Sequence, residues 1–172
     1  MRPFRLPPSP PAPKPIRWLG MAVDLTLVVV GAAMIIMVFF NVIFHVFQQD
    51  IAWTTEFCEF MMVWVTFLGG ASAARRGTHM TITEFLDKLS APSRRRADGI
   101  IQLFCLGVLA LLVKYGMGIV MSNWGNELTV LGWPVALQYL GLPVGSVAML
   151  VFVAFDLAQI LQGKTRAERY GG

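Results

Sequence analysis

The sequence predicts an all-α membrane protein: four transmembrane helices, both termini on the cytoplasmic side, and a short amphipathic surface helix in the cytoplasmic connection between the second and third spans. Three observations carry that expectation. Of 172 residues, 56% are hydrophobic and only 14% charged, well beyond the apolar share of an average soluble domain. The apolar residues gather in four runs, at about 18–47, 51–74, 99–121 and 137–161, and each reaches the roughly 20 residues that a helix needs to cross a hydrocarbon core. The positive charges alternate with these runs. Four of the 14 Lys and Arg precede the first run, six lie between Arg75 and Arg96, and Lys164, Arg166 and Arg169 follow the last. The connections at 48–50 and 122–136 carry none, so the positive-inside rule puts the two tails and the middle loop in the cytoplasm. An even number of spans demands the same.

In chain order, residues 1–17 hold seven prolines together with Arg2, Arg5, Lys14 and Arg17, a composition that favours an extended tail in water. The run after it is far longer than the roughly 7–15 residues of a signal-peptide core, so it reads as a retained first span. Trp18 marks the cytoplasmic surface, and Trp53 opens the second span at the opposite one. Between spans two and three, Thr81 and Glu84 have capping-box spacing before Phe85, Leu86 and Leu89, which share a helix face with Ile82. That pattern predicts the surface helix, with an ordinary solvated turn as the alternative. The connection 122–136 carries Trp124, Trp133, Gly125, Gly132 and Pro134 and reads as an interfacial loop, since indole rings favour the headgroup zone. Residues 164–172 form a second cytoplasmic tail.

A charge at a helix centre costs about 2.5–3.5 kcal/mol on insertion scales, so each ionisable residue within a span needs a partner, an interface or a function. Glu56 and Glu59 share a face of span two, and Glu59 lies roughly 9 Å below the outer surface at 1.5 Å per residue. Lys114 lies roughly 12 Å below the same surface. The matching depths predict an ion pair between Lys114 and Glu59, with Glu56 as the second choice; the alternatives are snorkelling of all three or a proton or sodium relay. Asp24 and Asp156 sit near the cytoplasmic ends of their spans, where Arg17, Arg75 or Arg76 are available to neutralise them. His45 and His79 fall on opposite sides, which rules out a bis-histidine haem site within the chain. Arg75, Arg76 and His79 mark the cytoplasmic interface, and the two arginines are placed to meet anionic lipid heads.

Small residues at Gly69 and Gly70, and the Gly141–Gly145 pair around Pro143, allow close helix approach. Cys58 and Cys105 stand alone in apolar runs, with no CxxC partner. No Ser-His-Asp set, phosphate loop or metal-ligand spacing appears, so neither an enzyme nor a cofactor is expected, and the charge pattern calls for a membrane and not a nucleic acid.

A resemblance then emerges at span two and its loop, which read Trp53, Glu56 and Glu59 at three-residue spacing, Trp64, Phe67-Leu68-Gly69-Gly70-Ala71, Arg75-Arg76-Gly77, His79 and Ile82. It continues in Leu131-Gly132-Trp133-Pro134 and in Tyr139, Gly141, Pro143 and Gly145, and the four-span plan covers about 17–163. The chain resembles the DctQ-like small membrane subunit of tripartite ATP-independent periplasmic (TRAP) transporters. That resemblance implies a bacterial inner-membrane protein working with a large membrane subunit and a periplasmic solute-binding protein, importing an organic acid by symport down an ion gradient, commonly sodium. It implies a scaffold role for the small subunit, since the family's large subunit is thought to carry the substrate and ion sites. Two other classes compete. A small self-assembling four-span proton-coupled exporter would use Glu59 as its exchanging carboxylate and form homodimers, whereas an electron-transfer subunit would need cofactor ligands that the sequence does not supply.

Overall fold

In lipid no water is present to take up backbone N–H and C=O groups, so an apolar segment must satisfy them internally, and a helix does so within one segment. The computed structural model, which describes residues 13–47, 49, 52–76 and 91–163, has five helices. They are α1 (Lys14–Val46), α2 (Ala52–Arg75), α3 (Ala91–Ser122), α4 (Val135–Tyr139) and α5 (Gly141–Leu161). Among the described residues four stretches are long and apolar enough to cross a membrane: α1, α2, Arg96–Ser122 within α3, and α4 with α5 taken together. Among the described residues there is no strand, only an isolated bridge between Glu127 and Pro134. The expected surface helix around Thr81–Leu89 lies outside the described residues, as do His79 and the tail 164–172.

Helix α1 starts four residues before the expected span, so residues 14–17 are helical and not part of an extended tail. The reason is local: Pro15 sits in the first turn, where a missing N–H costs no hydrogen bond. At 33 residues α1 is roughly 50 Å long, well over the ~30 Å of a hydrocarbon core, so it tilts or projects beyond it. The fourth span is interrupted at Leu140, between α4 and α5. Pro143 has no N–H to offer the Tyr139 carbonyl one turn earlier, and the ladder resumes with Val144 N–H donating to Leu140 O at 3.1 Å.

The helices pack in the order α1, α2, α5, α3, and the two outer ones, α1 and α3, make no extended contact. The result is a row, not a closed bundle. Its core lies where α1, α2 and α5 meet, in Val23, Leu68, Ala71, Ala148 and Phe152, flanked by Leu19, Leu27, Trp64 and Met149. Close approach of α2 and α5 depends on glycine. A Cβ on Gly145 would stand 2.5 Å from Phe67 Cβ and 2.9 Å from its carbonyl carbon, and one on Gly141 would sit 3.4 Å from the Trp64 backbone. Gly116 does the same for α3, where a Cβ would come within 2.9 Å of Leu142. Most of α1 is uncovered: only Gly20 and Val23 are buried, and Ile35, Phe39, Val42 and Val46 all stand out from the row.

Candidate functional site

Polar side chains tie the row together at its two ends and between α3 and α5. At the basic end, Asp24 of α1 accepts a hydrogen bond from Ser72 Oγ at 2.6 Å and one from the Arg75 guanidinium, and Arg76 completes the cluster at 3.2 Å. Arg75 reaches Asp24 by lying across Gly20, where a Cβ would meet its guanidinium carbon at 2.8 Å. One carboxylate facing two guanidiniums leaves the cluster with one net positive charge.

Between α3 and α5, Gln102 Nε2 donates to Asp156, and Gln159 lies one turn along α5 from that carboxylate. All three are at most 6% exposed. Gln102 Oε1, Gln159 Oε1 and Ser146 Oγ are buried without a hydrogen-bond partner among the described residues, so this interface carries polar groups in an otherwise apolar seam.

At the opposite end, residues 123–134 close into a hairpin-like loop. Leu128 N–H donates to Trp133 O at 2.8 Å, Val135 N–H to Asn126 O at 2.8 Å, and Gly132 takes the positive φ of 64° that the turn requires. The turn aims two N–H groups at α2: Val130 and Leu131 both donate to the Glu56 carboxylate, at 2.9–3.0 Å. Trp133 packs edge-on against Phe57 and Phe60, Trp53 against Phe57, and Trp64 Nε1 donates to Leu137 O at 3.2 Å.

The ion pair expected between Lys114 and Glu59 is not formed, nor is one with Glu56. Helix α5 stands between α2 and α3, so equal depth does not bring their side chains together. Lys114 is exposed on α3 with its ammonium 5.9 Å from the Tyr115 ring centroid, Glu59 is exposed on α2, and Glu56 is committed to the loop. The charge pair that does form uses Asp24 with Arg75 and Arg76. Trp18, Trp53, Trp124 and Trp133 are all at least 42% exposed, with Trp18 at the basic end and the other three at the loop end. Gly70 is covered by the Met149 side chain, whereas the nearest group to a Cβ on Gly69 would be Leu27 at 4.0 Å. His45 sits in the last turn of α1. Cys58 and Cys105 are free thiols, and among the described residues no three His, Cys, Asp or Glu side chains gather as metal ligands.

Sequence reasoning missed the roles of Gln102 and Gln159. The available signal was an amide in each of two apolar runs, with Gln159 three residues after Asp156 and so on its face. Glu56 was singled out for a different partner, and its true one depends on how the loop folds.

The model of the DctQ component of tripartite ATP-independent periplasmic transporters matches residues 34–163. The ectoine TRAP transporter small permease protein TeaB of Halomonas elongata is 29% identical over 99 residues, 56% of this chain and 51% of that protein. The C4-dicarboxylate TRAP transporter small permease protein DctQ of Rhodobacter capsulatus is 31% identical over 119 residues, 64% of this chain and 51% of that one. The sialic acid TRAP transporter small permease protein SiaQ of Vibrio cholerae is 31% identical over 120 residues, with 64% and 66% covered. The chain thus spans about half the length of the first two relatives. Since the match runs from the middle of α1 through α5 and takes in three of the four spans entire, the chain belongs to the DctQ family of small permease subunits of TRAP transporters.

Proposed function

We propose that this chain braces the large membrane subunit of a TRAP transporter in a bacterial inner membrane, with both termini cytoplasmic. The transporter takes up an organic acid delivered by a periplasmic solute-binding protein, and an ion gradient, commonly of sodium, drives it. The row arrangement carries this reading. A row of four helices whose outer members do not meet has no interior for a solute path, but offers long apolar faces against which another membrane protein can pack. The outer half of α1 is the clearest case, since Ile35, Phe39, Val42 and Val46 are all exposed.

The relatives support a division of labour. Their names assign ectoine, C4-dicarboxylates and sialic acid to transporters with similar small subunits, and all three solutes carry carboxylates. A scaffold shared across such different solutes fits a design in which solute choice resides in other chains. The loop tied to Glu56 and the exposed tryptophans then set the depth of the row in the bilayer.

The test is to express the tagged chain with its neighbouring genes, purify it in nanodiscs and weigh what accompanies it. A much larger multi-span protein in fixed stoichiometry, whose stability and transport fall when this chain is withheld, is the expected outcome. A clean homodimer with no companion would overturn the reading.

A further inference from the structure

At the basic end, on the α3–α5 side of the row, an open groove of about 750 Å³ runs between the two helices. Arg96, Gly99, Ile100, Leu103, Leu157 and Leu161 are among the residues that line it, and along α3 Arg96 comes first, one turn and more before Ile100 and Leu103. From Arg96 to Leu103 the groove descends roughly 10 Å along α3, so charge stands at headgroup level and hydrocarbon walls continue below it. Ile100, Leu103 and Leu161 are each at least 65% exposed. Arg96 makes no ion pair among the described residues, and it ends the run Arg94-Arg95-Arg96.

We infer that this groove is a binding site for one anionic phospholipid, whose phosphate meets Arg96 and whose acyl chain lies between α3 and α5. The vertical order is what selects a lipid: a cation at the membrane surface above an apolar slot matches a molecule with its anion and its hydrocarbon at those depths. Basic pockets between spans take anionic headgroups for the same reason. A neighbouring transmembrane helix would also cover the apolar walls, but it does not supply an anion at the mouth by virtue of its chemistry. The site does not depend on the bracing role, because the groove is formed by this chain alone.

Gly99 provides the probe. A Cβ there meets nothing within 4 Å, so a large side chain fills the groove without disturbing the helices around it. The experiment is native mass spectrometry of the delipidated full chain titrated with phosphatidylglycerol or phosphatidylcholine. One phosphatidylglycerol should bind saturably in preference to phosphatidylcholine. Arg96→Gln should weaken it about fivefold, the scale of one basic residue at a membrane surface, and Gly99→Phe should abolish the preference while leaving the melting temperature unchanged. Equal binding of the two lipids, or a preference that survives both substitutions, would overturn the site. Gly99→Cys adds a second readout in the co-purified transporter. Cross-linking there to a photoreactive acyl chain supports the lipid, and cross-linking to a protein partner overturns it.

Discussion

Helices α1 and α5 are both spans of strongly apolar composition, yet they are held in different ways. Helix α5 sits between two neighbours, buries nine of its 21 residues and gains its place by shape, with Gly145 against Phe67 on one side and Leu142 against Gly116 on the other. Helix α1 has one neighbour, buries only Gly20 and Val23, and is fastened at its basic end through Asp24. In water the contrast would be a matter of apolar area. In lipid the solvent is as apolar as the side chains, so close packing and polar contacts decide which helices associate. Here the α2–α5 crossing is specified by glycine and the α1 edge by charge, and α1 keeps its outer half uncovered for something else.

Removing the charge should have the largest effect. Asp24→Ala leaves Arg75, largely buried and already with an unpartnered Nε, without its carboxylate. Breaking such a pair costs about 3 kcal/mol, and we expect α1 to separate from α2 while α2, α5 and α3 stay together. Cysteine cross-linking across each interface reads this directly. Loss of all three interfaces at once would erase the distinction between edge and centre. Replacing Arg75 by Leu in the same background should restore part of the stability, since the orphaned charge is then gone.

Gly145→Ala probes the other half of the comparison. Its methyl group would meet Phe67 backbone at 2.9–3.0 Å, so α2 and α5 must part, at about 2 kcal/mol for an overpacked contact. Here the α2–α5 cross-link should fall and the melting temperature in detergent should drop, with the Asp24 cluster intact. An unchanged melting temperature would mean that the crossing tolerates slack and that shape does not hold the centre.

These two devices were not equally legible in the sequence. Four spans follow from length and composition alone, and an Asp at the depth of two arginines on the next span was a pairing that depth could identify. The lateral order of the helices was not legible, because an apolar run that faces lipid on several sides has no single stripe to show which neighbour it prefers. That is why a match of expected depths pairs Glu59 with Lys114 across a helix that keeps them apart. The GxxxG spacing at Gly141 and Gly145 pointed to a close crossing, but it could not name Trp64 and Phe67 as the surface crossed. The use of Glu56 required the fold of the 123–134 loop, which rests on backbone hydrogen bonds that leave no periodic trace.

Glu56 gives a smaller, local effect. Glu56→Ala strips the acceptor from the Val130 and Leu131 N–H groups, and charge-assisted bonds of this kind are worth about 1.5–3 kcal/mol where water cannot replace them. Because the bonds to Val130 N–H are exposed, the lower figure applies. Amide hydrogen exchange should accelerate at Val130 and Leu131 and leave the α2–α5 interface unchanged. Slow exchange retained at both amides would mean that the loop holds its own shape and that α2 merely lies beside it.

The smallest effect concerns Lys114 and Glu59, and here the expected result is nearly nothing. Both are exposed, and neither finds an opposite charge among the described residues. Lys114→Met and Glu59→Gln should each change the stability of the isolated chain in detergent by less than about 0.5 kcal/mol, as surface substitutions do. The double variant should equal the sum of the two, since residues with no shared partner add. A coupling above about 0.5 kcal/mol would place the two side chains together, which requires α2 against α3 and a closed bundle in place of the row. Additivity would leave each charge unanswered among the described residues, and so available to whatever covers α2 and α3 from outside the chain.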